Sequence, residues 1–213
     1  MSTDTMTNTN PKLKSRISVR LLAQMALLAA VAAMLMYFEV PLPFAPSFYQ
    51  IDFSEVPVMI GTFTMGPAAG AIIELVKVML KLVLKGTTTV GVGDLANFLI
   101  GCALCVPAGI IYRKKRSRKG AVIGMAAGTA FMTVVGCFLN AYVLLPTYAK
   151  AFEMPVDALV EMGTAVNSSI TNLTTFVLFA VAPFNLLKGF LTSLIVFLIY
   201  KKISPILKMH SHD

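Results

Sequence analysis

The sequence predicts an all-α integral membrane protein: a bundle of six transmembrane helices with both chain ends on the cytoplasmic side. Three observations lead there. Of 213 residues, 57% are hydrophobic and only 13% are charged, against about 25% charged in soluble domains, and mean hydropathy is +0.78. Apolar runs recur along the chain, at about the 20 residues a helix needs to cross a bilayer. The basic residues fall in three blocks beside those runs: Lys12/Lys14/Arg16/Arg20, then Arg113 to Lys119, then Lys201/Lys202/Lys208. The positive-inside rule puts all three blocks in the cytoplasm.

Each element follows from these signals. Residues 1–17 are polar and rich in Thr and Asn, which predicts a disordered cytoplasmic N-terminus. Residues 18–38 form the first span. Their apolar run continues to Tyr37-Phe38, too long for a signal-peptide core of roughly 7–15 residues. Residues 39–53, with Pro41, Pro43 and Pro46, form an external loop. Residues 54–84 are apolar but broken at Gly66-Pro67-Ala68-Ala69-Gly70, so they are one long helix or two with a tight turn. Charge decides between these. Two cytoplasmic basic blocks need an even number of crossings between them, so 54–84 crosses twice and turns at Gly66-Pro67. Residues 54–65 then reach only about 18 Å, short of a hydrocarbon core of about 30 Å. That helix starts earlier, stops short or lines a cavity.

Residues 93–112 and 120–145 are two more spans, and 172–200 is the last. Residues 146–170 are a polar external loop, with a short amphipathic surface helix from Pro155. The membrane domain, with its substrate pocket, covers 18–203, and 204–213 is a cytoplasmic tail. The external loops 39–53, 85–92 and 146–170 hold only Lys85 and Lys150 as basic residues, against Glu39, Asp52, Glu153, Asp157 and Glu161.

Several function classes fall away. The net charge of +8 would suit nucleic acid, but no aromatics are interleaved with the basic blocks. His210 and His212 are the only histidines and lie in the tail, which excludes His-dependent catalysis inside the membrane. Cys102-Ala-Leu-Cys105 has redox or zinc spacing, yet lies in an apolar helix without histidine, so these are packing residues. Gly91-Val-Gly-Asp-Leu-Ala96 matches GxGxxA without a βαβ unit around it, and no GxxxxGK[ST] occurs. No catalytic residue, metal ligand or cofactor is expected, and the chain is not expected to be an enzyme.

Polar groups inside apolar helices carry the positive signal. Asn185 and Lys188 are one helical turn apart and share a face. An ammonium in lipid costs several kcal/mol unless it meets a cavity, partner or ligand. Counting about 1.5 Å per residue from the basic anchors, Lys188 lies about 20 Å from the inner face, Asn185 and Asn97 about 24 Å, and Asn140 about 32 Å. Three helices thus converge on a ligand site in the outer part of the membrane. Glu74, Lys77 and Lys81 form one stripe. Glu74–Lys77 is a possible ion pair, and Lys81 has Asp94 or Glu55 as candidate partners. The stripe reads as a polar seam holding helices together rather than a proton relay, because the spans hold no histidine and Glu74 is the one acid expected away from the outer rim. In the first span Ala26/Ala30 and Ala29/Ala33 are small-xxx-small pairs, suited to close approach of the chain's own helices or of another subunit.

Four stretches together have a family likeness: Tyr49-Gln-Ile-Asp-Phe-Ser-Glu-Val-Pro57, Gly66-Pro-Ala-Ala-Gly70, Gly91-Val-Gly-Asp-Leu-Ala-Asn-Phe98 and Ala182-Pro-Phe-Asn-Leu-Leu-Lys-Gly189. With Pro146-Thr-Tyr148 after the fifth span, residues 18–205 resemble the riboflavin-specific substrate-binding (S) components of energy-coupling factor (ECF) vitamin transporters. The resemblance implies an S-component bundle in a bacterial cytoplasmic membrane, with a pocket open to the outside. It implies partners: riboflavin as transported ligand, a membrane coupling protein (T component) and two cytoplasmic ATPases. It implies that Asn185, Lys188 and Asn140 contact riboflavin, with Asn97, Gly93, Asp94 and the loop residues Thr87, Thr88 and Thr89 in a second tier. Phe44, Ala45, Pro46 and Tyr49 correspond to a lid. Ala26 and Ala30, with Ala29 and Ala33, correspond to the surface that docks the coupling protein.

The chemistry agrees. A flavin's pyrimidine edge alternates acceptors with an N–H donor, and an Asn amide offers both complements. Riboflavin is uncharged, so Lys188 acts as a donor. The expected function is capture of riboflavin from outside for ATPase-driven delivery inward. The alternatives are an S component for another vitamin, or a self-sufficient secondary carrier.

Overall fold

The computed structural model describes residues 18–42, 46, 49–87, 91–151 and 153–209. The segment 1–17, Phe44, Ala45, Thr88, Thr89 and the last four residues, on which some expectations fall, lie outside this range.

The chain is helical nearly throughout. Helix α1 (Val19–Tyr37) starts at Ser18, whose Oγ accepts the Leu21 amide at 3.2 Å. The loop after it contains a two-stranded antiparallel ladder, β1 (Val40–Pro41) with β2 (Gln50–Ile51), pairing Val40 with Ile51. Helices α2 (Glu55–Met65) and α3 (Pro67–Lys85) meet at Gly66. There φ is 104°, a conformation that glycine takes without steric cost, and Pro67 opens α3, where its missing N–H is harmless. The break expected at Gly66-Pro67 is therefore present. Helices α4 (Val92–Lys114) and α5 (Arg118–Leu139) follow. They pack closely: a Cβ on Gly124 would stand 2.7 Å from the Ala108 carbonyl oxygen.

Beyond Leu139 the helix widens into a π turn, Asn140–Leu144, and resumes as α6 (Leu145–Ala151). Helix α7 (Val156–Thr164) starts after Pro155 and buries Leu159 and Val160, as an amphipathic surface helix does. Helix α8 (Leu173–Phe176) is capped reciprocally by Asn172 and Thr175, widens into a second π turn, Val177–Val181, and continues as α9 (Ala182–Met209). Both π turns end two residues before a proline, Pro146 and Pro183. A helical proline lacks its N–H and its ring clashes with the carbonyl four residues back. An extra residue in the preceding turn relieves that conflict.

Among the described residues, four helical segments are long and apolar enough to cross a membrane: Val19–Tyr37, Val92–Lys114, Arg118–Ala151 and Leu173–Ile199. The last helix extends beyond the expected end at 200, because Lys201-Lys202 are good helix formers and do not end it. The fifth helical segment likewise runs past 145 into the expected loop.

Two apolar clusters form the core. One gathers Met25, Ala29, Val58, Ile73, Leu104 and Met132; the other gathers Tyr49, Leu145, Leu159, Phe176 and Val181. A polar layer is made by buried side chains from the link before α2 and from α2, α3, α4, the first π turn and α9, among them Asp52, Glu55, Lys77, Asp94, Asn140 and Lys188. The alanines of α1 divide. Ala26 and Ala30 are exposed, but Ala29 and Ala33 are 0% and 2% exposed. The expectation that Ala29 and Ala33 share a docking surface is corrected: their face of α1 packs into the chain's own core.

Candidate functional site

A cavity of about 250 Å³ opens in the polar layer, just under the roughly 300–1,000 Å³ usual for small-molecule sites. The four polar residues expected to converge, Asn97, Asn140, Asn185 and Lys188, all line it. Gly93, Asp94 and Tyr49 line it too.

Asn140 occupies the first residue of one π turn, and Asn185 lies just past the other. Each amide donates to its own helix, Asn140 Nδ2 to the Gly136 carbonyl at 2.8 Å and Asn185 Nδ2 to the Val181 carbonyl at 2.9 Å. The Tyr49 hydroxyl donates to Asn140 Oδ1 at 2.7 Å. Burial pushes the Tyr49 hydroxyl well above its ordinary value, so it remains a donor. Its ring packs against Phe184, with centroids 5.0 Å apart. Gly136 serves both amides: a Cβ there would stand 2.8 Å from Asn185 Nδ2. Glycine is what lets the α9 amide lie flat on α5.

Lys188 is not isolated. Its ammonium donates to Asp52 Oδ2 at 3.0 Å and stands 3.9 Å from Glu55 Oε1. Glu55 accepts from Lys77 at 2.9 Å, and Lys77 reaches Glu74 at 2.7 Å. Five charged side chains from the loop, α2, α3 and α9 thus form one buried chain, each at most 6% exposed. Asp52 Oδ1 also accepts the Ser54 amide at 2.7 Å. Burial pushes the Asp52 carboxyl up, but Lys188, Lys77 and Ser54 outweigh it and hold the group at about 2. The Glu74–Lys77 pair occurs as anticipated. Lys81 selects Asp94, at 2.7 Å, of its two candidate partners. Glu74 is not the single shielded acid that was expected: Asp52, Glu55 and Asp94 are buried in the fold as well.

The rim is acidic as well as basic. Glu39 lines the cavity and pairs with Lys85. Asp94 Oδ2 is buried without a hydrogen-bond partner. Of the lid residues, Pro46 is buried but does not line the cavity. Thr87 is exposed and not among the lining residues, a correction to its expected contact. Its Oγ accepts the Gly91 amide at 2.9 Å, at the entry to α4.

Sequence reasoning missed Asp52, which it counted as an external loop charge. A buried lysine needs a carboxylate partner, and that requirement was a usable signal for an acid at this depth. It could not select Asp52 over Glu55. The roles of Gly136 and Phe184 had no comparable signal.

Residues 20–200 match the family model described as the substrate-specific component of ECF transporters. The chain is 35% identical over 201 residues to the riboflavin transporter RibU of Staphylococcus aureus (strain TCH60), covering 94% of this chain and 98% of that protein. It is 32% identical over 190 residues to the riboflavin transporter FmnP of Bacillus subtilis (strain 168), covering 89% and 94%. Its fold is similar to the solved S component of a bacterial ECF transporter, with a TM-score of 0.69, 33% identity, and coverage of 89% of this chain and 98% of that one.

Proposed function

Because this chain belongs to the family of ECF transporter substrate-specific components, we propose that it is the membrane subunit that captures riboflavin. The observation that carries the reading is the convergence of Asn140, Asn185 and the Lys188–Asp52 pair on one cavity inside an apolar bundle. Each amide keeps one N–H beyond the bond to its own helix, and Asn185 Oδ1 makes no protein hydrogen bond among the described residues. That set complements an edge of alternating carbonyls and an N–H. Aromatic and aliphatic walls, Tyr148, Phe184, Ile100 and Leu144, suit a flat ring. The unpartnered Asp94 Oδ2 suits a ribityl hydroxyl. The cavity's own cations are already matched, Lys188 by Asp52 and Lys81 by Asp94, which favours an uncharged ligand.

The same reading assigns six crossings, with α2 and α3 as a short pair turning at Gly66 and both chain ends cytoplasmic. The chain carries no catalysis of its own. A T component in the bacterial cytoplasmic membrane and two cytoplasmic ATPases drive release inward. Residues Phe44 to Tyr49 close over the ligand, and the exposed Ala26 and Ala30 face the coupling protein. The test is purification in detergent followed by absorbance spectroscopy and riboflavin titration. A yellow protein with flavin bands is expected. Colourless protein that binds no riboflavin sinks the proposal.

A further inference from the structure

A second cavity lies at the other end of α4. Arg113 is 19 residues beyond Asp94 on that helix, so the two cavities are about 28 Å apart along its axis. The second measures about 180 Å³, and Leu21, Phe63, Gly66, Tyr112, Arg113 and Arg116 line it. No carboxylate contributes to its wall. Among the described residues neither arginine pairs with an acid. The Arg113 guanidinium folds over the α2–α3 turn, where a Cβ on Gly66 would stand 3.6 Å from its Cζ. The rest of the wall is Leu21, Thr64 and Met65, with Phe63 tilted against Tyr112 at a centroid distance of 4.6 Å.

This pairing of chemistries describes an amphiphile. Guanidinium forks bind phosphate oxygens bidentately. The half-buried Leu21 and Met65 give an acyl chain an apolar path. Basic pockets between helices on the cytoplasmic side suit anionic headgroups. Scattered positive-inside arginines would need no cavity and no apolar wall. We propose that this cavity seats the phosphate headgroup of an anionic phospholipid from the cytoplasmic leaflet, joining the α2–α3 turn to the α4–α5 turn. The proposal rests on the membrane orientation given above, but not on the identity of the transported vitamin.

Native mass spectrometry of the full chain in detergent tests it, with phosphatidylglycerol, phosphatidylcholine and inorganic phosphate as probes. The wild type should retain phosphatidylglycerol at least tenfold over phosphatidylcholine. Arg113→Gln with Arg116→Gln should erase that preference. Lys114→Gln with Lys115→Gln, exposed neighbours outside the cavity wall, should keep it. Equal loss in the lysine variant would reduce the effect to diffuse charge and overturn the site. So would an unchanged preference in the arginine variant. Displacement of the lipid by equimolar inorganic phosphate would overturn the lipid assignment in favour of a free anion. Riboflavin titration of the same samples keeps the two readings separate. The arginine variant should bind riboflavin like wild type, which also reports that it folds. Wild type that holds phosphatidylglycerol but not riboflavin would cost the vitamin assignment alone.

Discussion

Lys188 on α9 and Asp52 at the end of β2 are 136 residues apart in sequence and 3.0 Å apart in space. Their bond ties the last helix to the short link between β2 and α2. Breaking a buried pair by removing one partner costs about 3–5 kcal/mol, because the other charge is left uncompensated.

Asp52→Asn should therefore lower the unfolding temperature in detergent and weaken riboflavin binding at least tenfold. Adding Lys188→Met should restore stability without restoring affinity. A double variant that binds like wild type would remove the pair from the site.

Asn185→Ala and Lys188→Ala should each weaken binding at least tenfold, about 1.4 kcal/mol. Quenching of flavin fluorescence on titration measures this. Unchanged affinity in both folded variants would mean the ligand lies elsewhere.

Gly136→Ala tests the positioning of Asn185. Its Cβ would fall 2.8 Å from Asn185 Nδ2, so the α9 amide must move. A modest overpacking cost, about 1–3 kcal/mol, should accompany at least a tenfold loss of affinity. Gly136→Ala with wild-type affinity would show that the amide's placement is unimportant.

The alanines of α1 should separate two roles. Ala26→Leu with Ala30→Leu, both exposed, should leave riboflavin binding intact and abolish uptake in cells that carry the coupling module. Ala29→Leu enters a fully buried position and should instead lower stability, by about 1–3 kcal/mol. Lost binding in the first variant would place those alanines in the chain's own packing.

Acid should undo the Asp52 anchor. Its carboxyl is held at about 2 when folded, below the ordinary 3.8. A depressed carboxylate contributes fully above its unfolded value and loses its contribution as pH falls through the folded one. Thermal stability should be flat for this group from pH 7 to about pH 5 and fall progressively below about pH 4. Asp52→Asn should flatten that acid limb. An identical limb in the variant would assign it to other groups.

Much of this was legible from one-dimensional pattern. Hydropathy located the apolar helices, and Gly66-Pro67 located the break between α2 and α3, because a positive φ and a missing N–H are local demands. Asn185 and Lys188 stood out because a polar pair one turn apart in an apolar helix is costly wherever it packs. The π turns were less visible, although Pro146 and Pro183 supply their cause. The carbonyls of Gly136 and Val181 beside these turns are taken by the side-chain amides of Asn140 and Asn185 of the same helices.

Local composition and spacing are enough to define the membrane class, the helical elements and the polar residues that must find partners. Which partner each one takes is set by how the helices pack. Lys188 met Asp52, Lys77 bridged Glu55 and Glu74, Lys81 took Asp94, and α1 turned Ala29 inward while leaving Ala26 exposed. The reason is physical. A buried charge requires an opposite charge within a few ångströms, but several acids satisfied that requirement on paper. Helix packing brings only one set of them within reach.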